Sequence, residues 1–136
     1  MTDNKKVDRA KIGKRNKRKG SNAERLYANK FKELGFEHCK TSRYGAKAID
    51  DVGIDLIGIP YNVQVKAGYA KGLNYSKVLH DMVTNIDSRL MPDDPVRNRP
   101  NMIIHRKDVG AGNRRNDMDD LVIMSFETFK QLIANG

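Results

Sequence analysis

An α/β (mixed α+β) architecture, a central mixed β-sheet flanked by helices, is predicted by three observations. Apolar residues recur at helical spacing near residue 30, near residue 82 and at the C-terminal end of the 136-residue chain. Short β-branched runs, such as Ile54-Asp55-Leu56-Ile57-Gly58-Ile59 and Val63-Gln64-Val65-Lys66, lie between them. Clusters of Gly, Pro, Asn and Asp separate the two kinds of segment. A hydrophobic fraction of 38% fills one modest core but not two. The expected organisation is therefore one domain, residues 21–136, preceded by an arm of residues 1–20.

The arm lacks apolar periodicity, and its composition predicts disorder in the free protein. Gly20 and Ser21 then open a helix over residues 22–34. Ser21 is a suitable N-cap, and Glu24 three residues later completes a capping box. Leu26, Tyr27, Phe31 and Leu34 form its buried face, and Gly35 ends it. Residues 36–41 form a first strand and residues 42–52 a polar loop. The two β-branched runs form a hairpin about Pro60-Tyr61-Asn62. In the second run the valines share one face, while Gln64 and Lys66 share the other. Asn74 or Ser76 caps a second helix to about Leu90, with Val78, Leu79, Met82, Val83, Ile86 and Leu90 as its apolar stripe. Three prolines make residues 91–100 a loop. Residues 102–105 and 121–124 are strands, with a Gly/Asn/Asp/Arg-rich segment between them. Ser125 caps a last helix over residues 126–134, whose Phe126, Phe129, Leu132 and Ile133 point inward.

Charge is unevenly placed. The formal net charge is +9, and residues 1–20 hold nine basic residues against Asp3 and Asp8. The remaining 17 basic and 15 acidic residues nearly balance. A balanced globule with a basic arm calls for a polyanionic partner. Cys39, expected to be a buried strand residue, is the only cysteine, so no intramolecular disulfide forms, as suits a reducing compartment. No apolar run approaches the roughly 20 residues that span a bilayer, and no signal-peptide segment follows the basic start. These features lead us to expect a cytoplasmic protein without a membrane partner. His38, His80 and His105 show no zinc spacing.

The segment that carries chemistry is Gly53-Ile54-Asp55-Leu56-Ile57 followed by Val63-Gln64-Val65-Lys66. Across a hairpin, Asp55 would stand beside the Gln64/Lys66 face. Mg²⁺ takes oxygen ligands. Asp55 offers a carboxylate, and Gln64 and the Val65 carbonyl offer neutral oxygens. Lys66 can orient or help deprotonate a water, or neutralise developing charge. A metal so held activates water for phosphodiester hydrolysis.

Asp55 with Gln64-Val65-Lys66 resembles the signature of the PD-(D/E)xK nuclease superfamily, and so implies a restriction-endonuclease-like fold and a Mg²⁺- or Mn²⁺-dependent endonuclease. Lys19-Gly20-Ser21-Asn22-Ala23-Glu24-Arg25 resembles the opening of archaeal-type Holliday junction resolvases, which phages also carry. Gly35-Phe36 before a strand and Arg43 in the following loop match as well. The resemblance covers about residues 19–66. It implies that Glu24 completes the metal site and that a homodimer cleaves four-way DNA junctions in recombination. Gln64 stands where the signature usually has a glutamate, a version similar to that of Mrr-like restriction nucleases. A neutral ligand contributes no charge and weakens metal binding. Asp50 or Asp51, just upstream, could compensate.

The expected catalytic set is thus Glu24, Asp55, Gln64 and Lys66, with Glu24, Asp55, Gln64 and Val65 holding the metal. Lys14, Arg15, Lys17, Arg18, Lys19, Ser21, Arg25, Arg43 and Tyr44 are the expected DNA contacts. Each has a plainer reading. Glu24 closes a capping box, Gln64 and Lys66 are solvent-facing strand residues, and the arm is a solubility tail. Asp55 is harder to explain so, because an unpaired charge among apolar residues is costly. Three functions fit: a junction-selective endonuclease, a restriction-like or nicking endonuclease without branch preference, and a degenerate nuclease fold that only binds DNA.

Overall fold

The computed structural model describes residues 2–44, 46–69 and 71–136; the side chains of residues 2–13, Arg15, Asn16 and Tyr44 lie outside the described set. The elements are α1 (Thr2–Glu33), β1 (Lys40–Thr41), α2 (Lys47–Asp50), β2 (Leu56–Ile57), β3 (Asn62–Gly68), α3 (Tyr75–Arg89), β4 (Asn101–Lys107), β5 (Asp120–Ile123) and α4 (Phe126–Asn135). The fold is mixed α+β. A three-stranded mixed sheet runs in the order β3-β4-β5, with β3 parallel to β4 and β5 antiparallel. A two-stranded antiparallel sheet pairs β1 with β2.

The first helix corrects two expectations. It begins at Thr2, so the segment read as a disordered arm is helical, and Ser21 lies inside the helix rather than at its N-cap. Residues 2–20 are rich in Lys and Arg, which are good helix formers, and contain no proline. Gly13 and Gly20 each cost about 1 kcal/mol relative to Ala and do not interrupt it. The C-terminal end is as expected. Gly35 takes φ +108°. The Gly35 amide donates to the Lys32 carbonyl (3.0 Å) and the Phe36 amide to the Phe31 carbonyl (3.0 Å). Those two bonds are a Schellman motif. Its apolar contact is present too, since the Phe31 and Phe36 rings meet edge-on at 6.0 Å.

The core forms around the face that α1 turns to the sheet. Ala23, Tyr27 and Ala28 pack on Cys39, Leu56, Val63, Val65, Met102 and Ile104. A second cluster joins Val52, Ile54, Ile86 and Val96. Tyr27 donates to Asp120, which Arg106 (3.4 Å) and Arg115 (3.2 Å) also hold, tying α1 to the start of β5.

The expected hairpin between the runs 54–59 and 63–66 forms only in part. A regular strand residue sends its N–H and C=O to the same neighbour. Asp55 does not: its amide donates to the Val63 carbonyl (2.8 Å), while its carbonyl accepts from the Ser42 amide (2.9 Å). The chain therefore switches partners at Asp55, and β2 pairs with β1 instead of extending a ladder along β3. Gly58 permits the close approach that follows. It has φ +84°, and a Cβ there would lie 2.2 Å from the His38 carbonyl oxygen.

Asn74, not Ser76, caps α3, accepting from the Lys77 amide (3.1 Å). A cap of this type stabilises by about 1 kcal/mol. Of the expected α3 stripe, Met82 and Ile86 are buried, while Val83 is 44% exposed. Ser125 caps α4 as expected. The inward stripe expected there is wrong in direction. Phe126 is 75% exposed and Ile133 64%, Phe129 is exposed as well, and Leu132 is the one that reaches the core. Among the described residues β5 is an edge strand of its sheet, paired with β4 alone. No described helix is long and apolar enough to cross a membrane.

Candidate functional site

Period-2 alternation divides β3 as expected. Val63 and Val65 are buried against α1, and Gln64 and Lys66 open on the opposite face, where they line a groove of about 200 Å³ with Met82 and Asn85 of α3. The Gln64 side chain rests against Gly53, 3.6 Å from where a Cβ on that glycine would stand.

Asp55 is fastened to β3 by its side chain. Its Oδ2 accepts from the Val65 amide at 2.7 Å, where a continuing hairpin would have placed a backbone carbonyl. Burial pushes the Asp55 carboxyl up to about 7. The Val65 N–H opposes that shift, the charges of Glu24 and Asp50 add to it, and Lys66 subtracts from it. Asp55 therefore lies within electrostatic reach of three other expected or compensating site residues. The Val65 carbonyl projects to the same side of β3 as its amide, so it opens towards Asp55.

Glu24 is buried at 5% exposure on α1. It is not in a capping box. Both its oxygens are taken by Arg43, whose Nε donates to Oε2 (2.9 Å) and Nη2 to Oε1 (3.1 Å). This is a two-pronged ion pair of the kind that fixes geometry as well as charge. The Arg43 guanidinium is raised chiefly by that bond to Glu24. Arg43 belongs to a single 3₁₀ turn, Ser42–Tyr44, directly after β1. Ser42, which the sequence did not single out, is fully buried. Its hydroxyl is shared between the Ile54 carbonyl (2.7 Å) and Asp50 Oδ1 (3.1 Å), and so orients Asp50 towards Asp55. Of the two upstream acids, Asp50 is the one at the site; Asp51 is exposed and offers its carbonyl to Arg89 (3.2 Å).

The structure thus brings Glu24, Arg43, Asp50, Asp55 and the Val65 backbone together, and Lys66 acts on them through its charge. Gln64 lines the α3 groove together with Lys66. Among the described residues no group of three or more Asp, Glu, His or Cys side chains is arranged to hold a metal ion. The donor chemistry still suits a hard cation. Asp55 is a largely desolvated carboxylate whose Oδ1 has no partner among the described residues, with a backbone carbonyl beside it.

His105 is a second residue that sequence reading missed. It is fully buried and stands opposite Lys66 in the β3–β4 register. Tyr75 donates to Nδ1 (2.6 Å) and Nε2 donates to the Gly68 carbonyl (2.8 Å), so both ring nitrogens are engaged in joining α3 to the end of β3. Lys14, Lys17, Arg18, Lys19 and Arg25 are exposed on α1, and Ser21 is half-buried. Lys19 pairs with Asp108, and Arg25 donates to Asn22 (2.7 Å). The side chains of Arg15 and Tyr44 lie outside the described residues.

Compared with known protein families, with curated proteins and with solved structures, the chain matches none.

Proposed function

We propose that this chain is a metal-dependent DNA endonuclease, selective for branched DNA such as four-way junctions and working as a homodimer inside the cell. The observation that carries the reading is Asp55. It is a mostly buried carboxylate clamped to the Val65 amide, with Lys66 on the adjoining strand position and Glu24 and Asp50 close enough to repel it. A fold that needed only stability has no use for three acids around one desolvated position. Asp55 and the Val65 carbonyl would hold Mg²⁺ or Mn²⁺; Glu24 would join them on release from Arg43, and Gln64 by turning out of the α3 groove. The metal supplies an activated water and offsets charge on the phosphate. Lys66 would orient such a water and neutralise charge as it develops.

DNA binding is supported by helical phase. Residues 14, 17, 18, 21 and 25 recur at the spacing of one α1 face, and Glu24 borders it. A basic stripe therefore leads along α1 to the site. Arg43, at the end of the stripe, is positioned to meet the phosphate. Dimerisation is supported by the exposed apolar residues of β5 and α4.

The direct test is incubation of the purified chain with four-way junction, nicked and linear duplex DNA in Mg²⁺ or Mn²⁺. Cleavage of the junction, abolished by Asp55→Asn, is expected. Equal cutting of all three substrates would favour a restriction-like or nicking enzyme. One observation favours a non-catalytic reading: Arg43 occupies both Glu24 oxygens, and Gln64 lines the α3 groove. On that reading the chain binds DNA, and no substrate is cut beyond the Asp55→Asn control.

A further inference from the structure

The carboxyl ends of the parallel strands β3 and β4 open into a trough between α1 and the segment after β4. Its volume is about 510 Å³. Crevices outside the carboxyl ends of parallel strands are habitual ligand sites in α/β sheets. The floor is apolar, made by Ala23, Leu26 and Ala67, and the rim is cationic, with Arg18 and Lys19 on α1. Lys19 is held there by Asp108, whereas Arg18 pairs with no carboxylate among the described residues. A neighbouring recess of about 380 Å³ shares Lys19 and is bordered by Tyr69, just past β3. The Tyr69 side chain is 63% exposed in a chain that has no tryptophan.

An apolar floor, a cationic rim and an exposed aromatic ring match the chemistry of unpaired nucleotides. Bases stack on aromatic faces whatever their sequence, and phosphates follow the cations. A duplex offers only its phosphates to such a surface, because its bases are already stacked. We propose that this trough binds single-stranded nucleic acid, with a base on Tyr69 and phosphates along Arg18 and Lys19. The trough adjoins the candidate site through two chain bonds, Ala23–Glu24 on α1 and Lys66–Ala67 on β3. In this respect the proposal deepens the nuclease reading and rests on it. The substrate would carry an unpaired segment next to the phosphate that is cut.

The test is fluorescence anisotropy of the full chain with a labelled oligothymidylate of about 12 nucleotides, within the span of one single-strand-binding module. A duplex of equal length is measured beside it, both in EDTA. Oligothymidylate should bind more tightly than the duplex. Tyr69→Ala should weaken it about tenfold, near the low end of what one base stack contributes. Tyr69→Phe should restore it, and duplex binding should hold within about twofold. Arg18→Ala should lower the salt slope for oligothymidylate by about 0.7. Equal affinity for the two probes, or no effect of Tyr69→Ala, overturns the proposal. Because binding is read without metal, it is separable from cleavage. Loss of the nuclease reading leaves a strand-binding surface, whereas junction cleavage with an indifferent Tyr69 leaves a nuclease without one.

Discussion

At the scale of single residues, Asp55 sets its proposed function against stability. Its carboxyl is raised to about 7 in the folded chain, against about 3.9 in an unfolded one. A raised carboxyl means that the folded state holds its proton over a range in which the unfolded state has lost it. The metal-free protein is therefore most stable below about pH 4, on this account alone. It loses that stability as pH rises towards 7, and the loss is complete above 7. Three units correspond to an upper limit of about 4 kcal/mol, before discounting for partial solvent screening. Asp55→Asn keeps an oxygen to accept the Val65 amide and removes the titration. Its melting temperature should exceed that of the parent by several degrees at pH 8, and the gap should close towards pH 4. Thermal unfolding in EDTA across that range checks this, and a gap independent of pH would contradict it. Asp55 was legible in the sequence because a charge amid Ile54, Leu56 and Ile57 has few other uses. Arg43 closing on Glu24 was not. The two are joined by a tertiary contact between α1 and the turn after β1, and local pattern assigned Glu24 to a cap instead.

Among the secondary elements, those that local chemistry determines were readable. Gly35 ends α1 with both Schellman bonds, Asn74 and Ser125 accept at their N-caps, and β3 alternates as its valines predict. The start of α1 was misread because the sequence signals for a cap, Ser21 with Glu24, sit inside a run that continues to form helix. The strand at residues 54–59 was misread for a different reason. Its partner change at Asp55 depends on Ser42, twelve or more residues away, which no periodicity encodes. Most helical stability comes from tertiary packing of an apolar face, and among the described side chains of residues 14–20 none is buried. Deleting residues 1–19 should therefore leave cooperative unfolding of the domain intact and lower the helical circular-dichroism signal. It should also weaken duplex binding and flatten its salt dependence, since each phosphate that is no longer neutralised lowers the log–log slope by about 0.9. An unchanged salt slope would remove the basic stripe from the DNA-binding surface.

For the whole molecule, the telling feature is where apolar surface is left over. β5 ends the three-stranded sheet with one edge unpaired, and Val122 on it is 55% exposed. Met118 before it is exposed too, as are Phe126, Phe129 and Ile133, which share one face of α4. A free strand edge beside such a patch favours association. A two-fold pairing of this patch with itself buries each copy's residues against the same residues of the other. On the proposed function, such a pairing would present two candidate sites to one branched substrate. Sedimentation of the parent chain should show a dimer at micromolar concentration. A double variant, Phe126→Asp with Ile133→Asp, should be monomeric with unchanged helix content, because both side chains are mostly exposed in the single chain. Its cleavage of four-way junctions should fall much further than its binding of oligothymidylate, whose proposed trough includes no residue of α4. A parent chain that stays monomeric at every concentration, or a double variant that remains dimeric, would remove α4 from the interface and leave the exposed stripe without a partner.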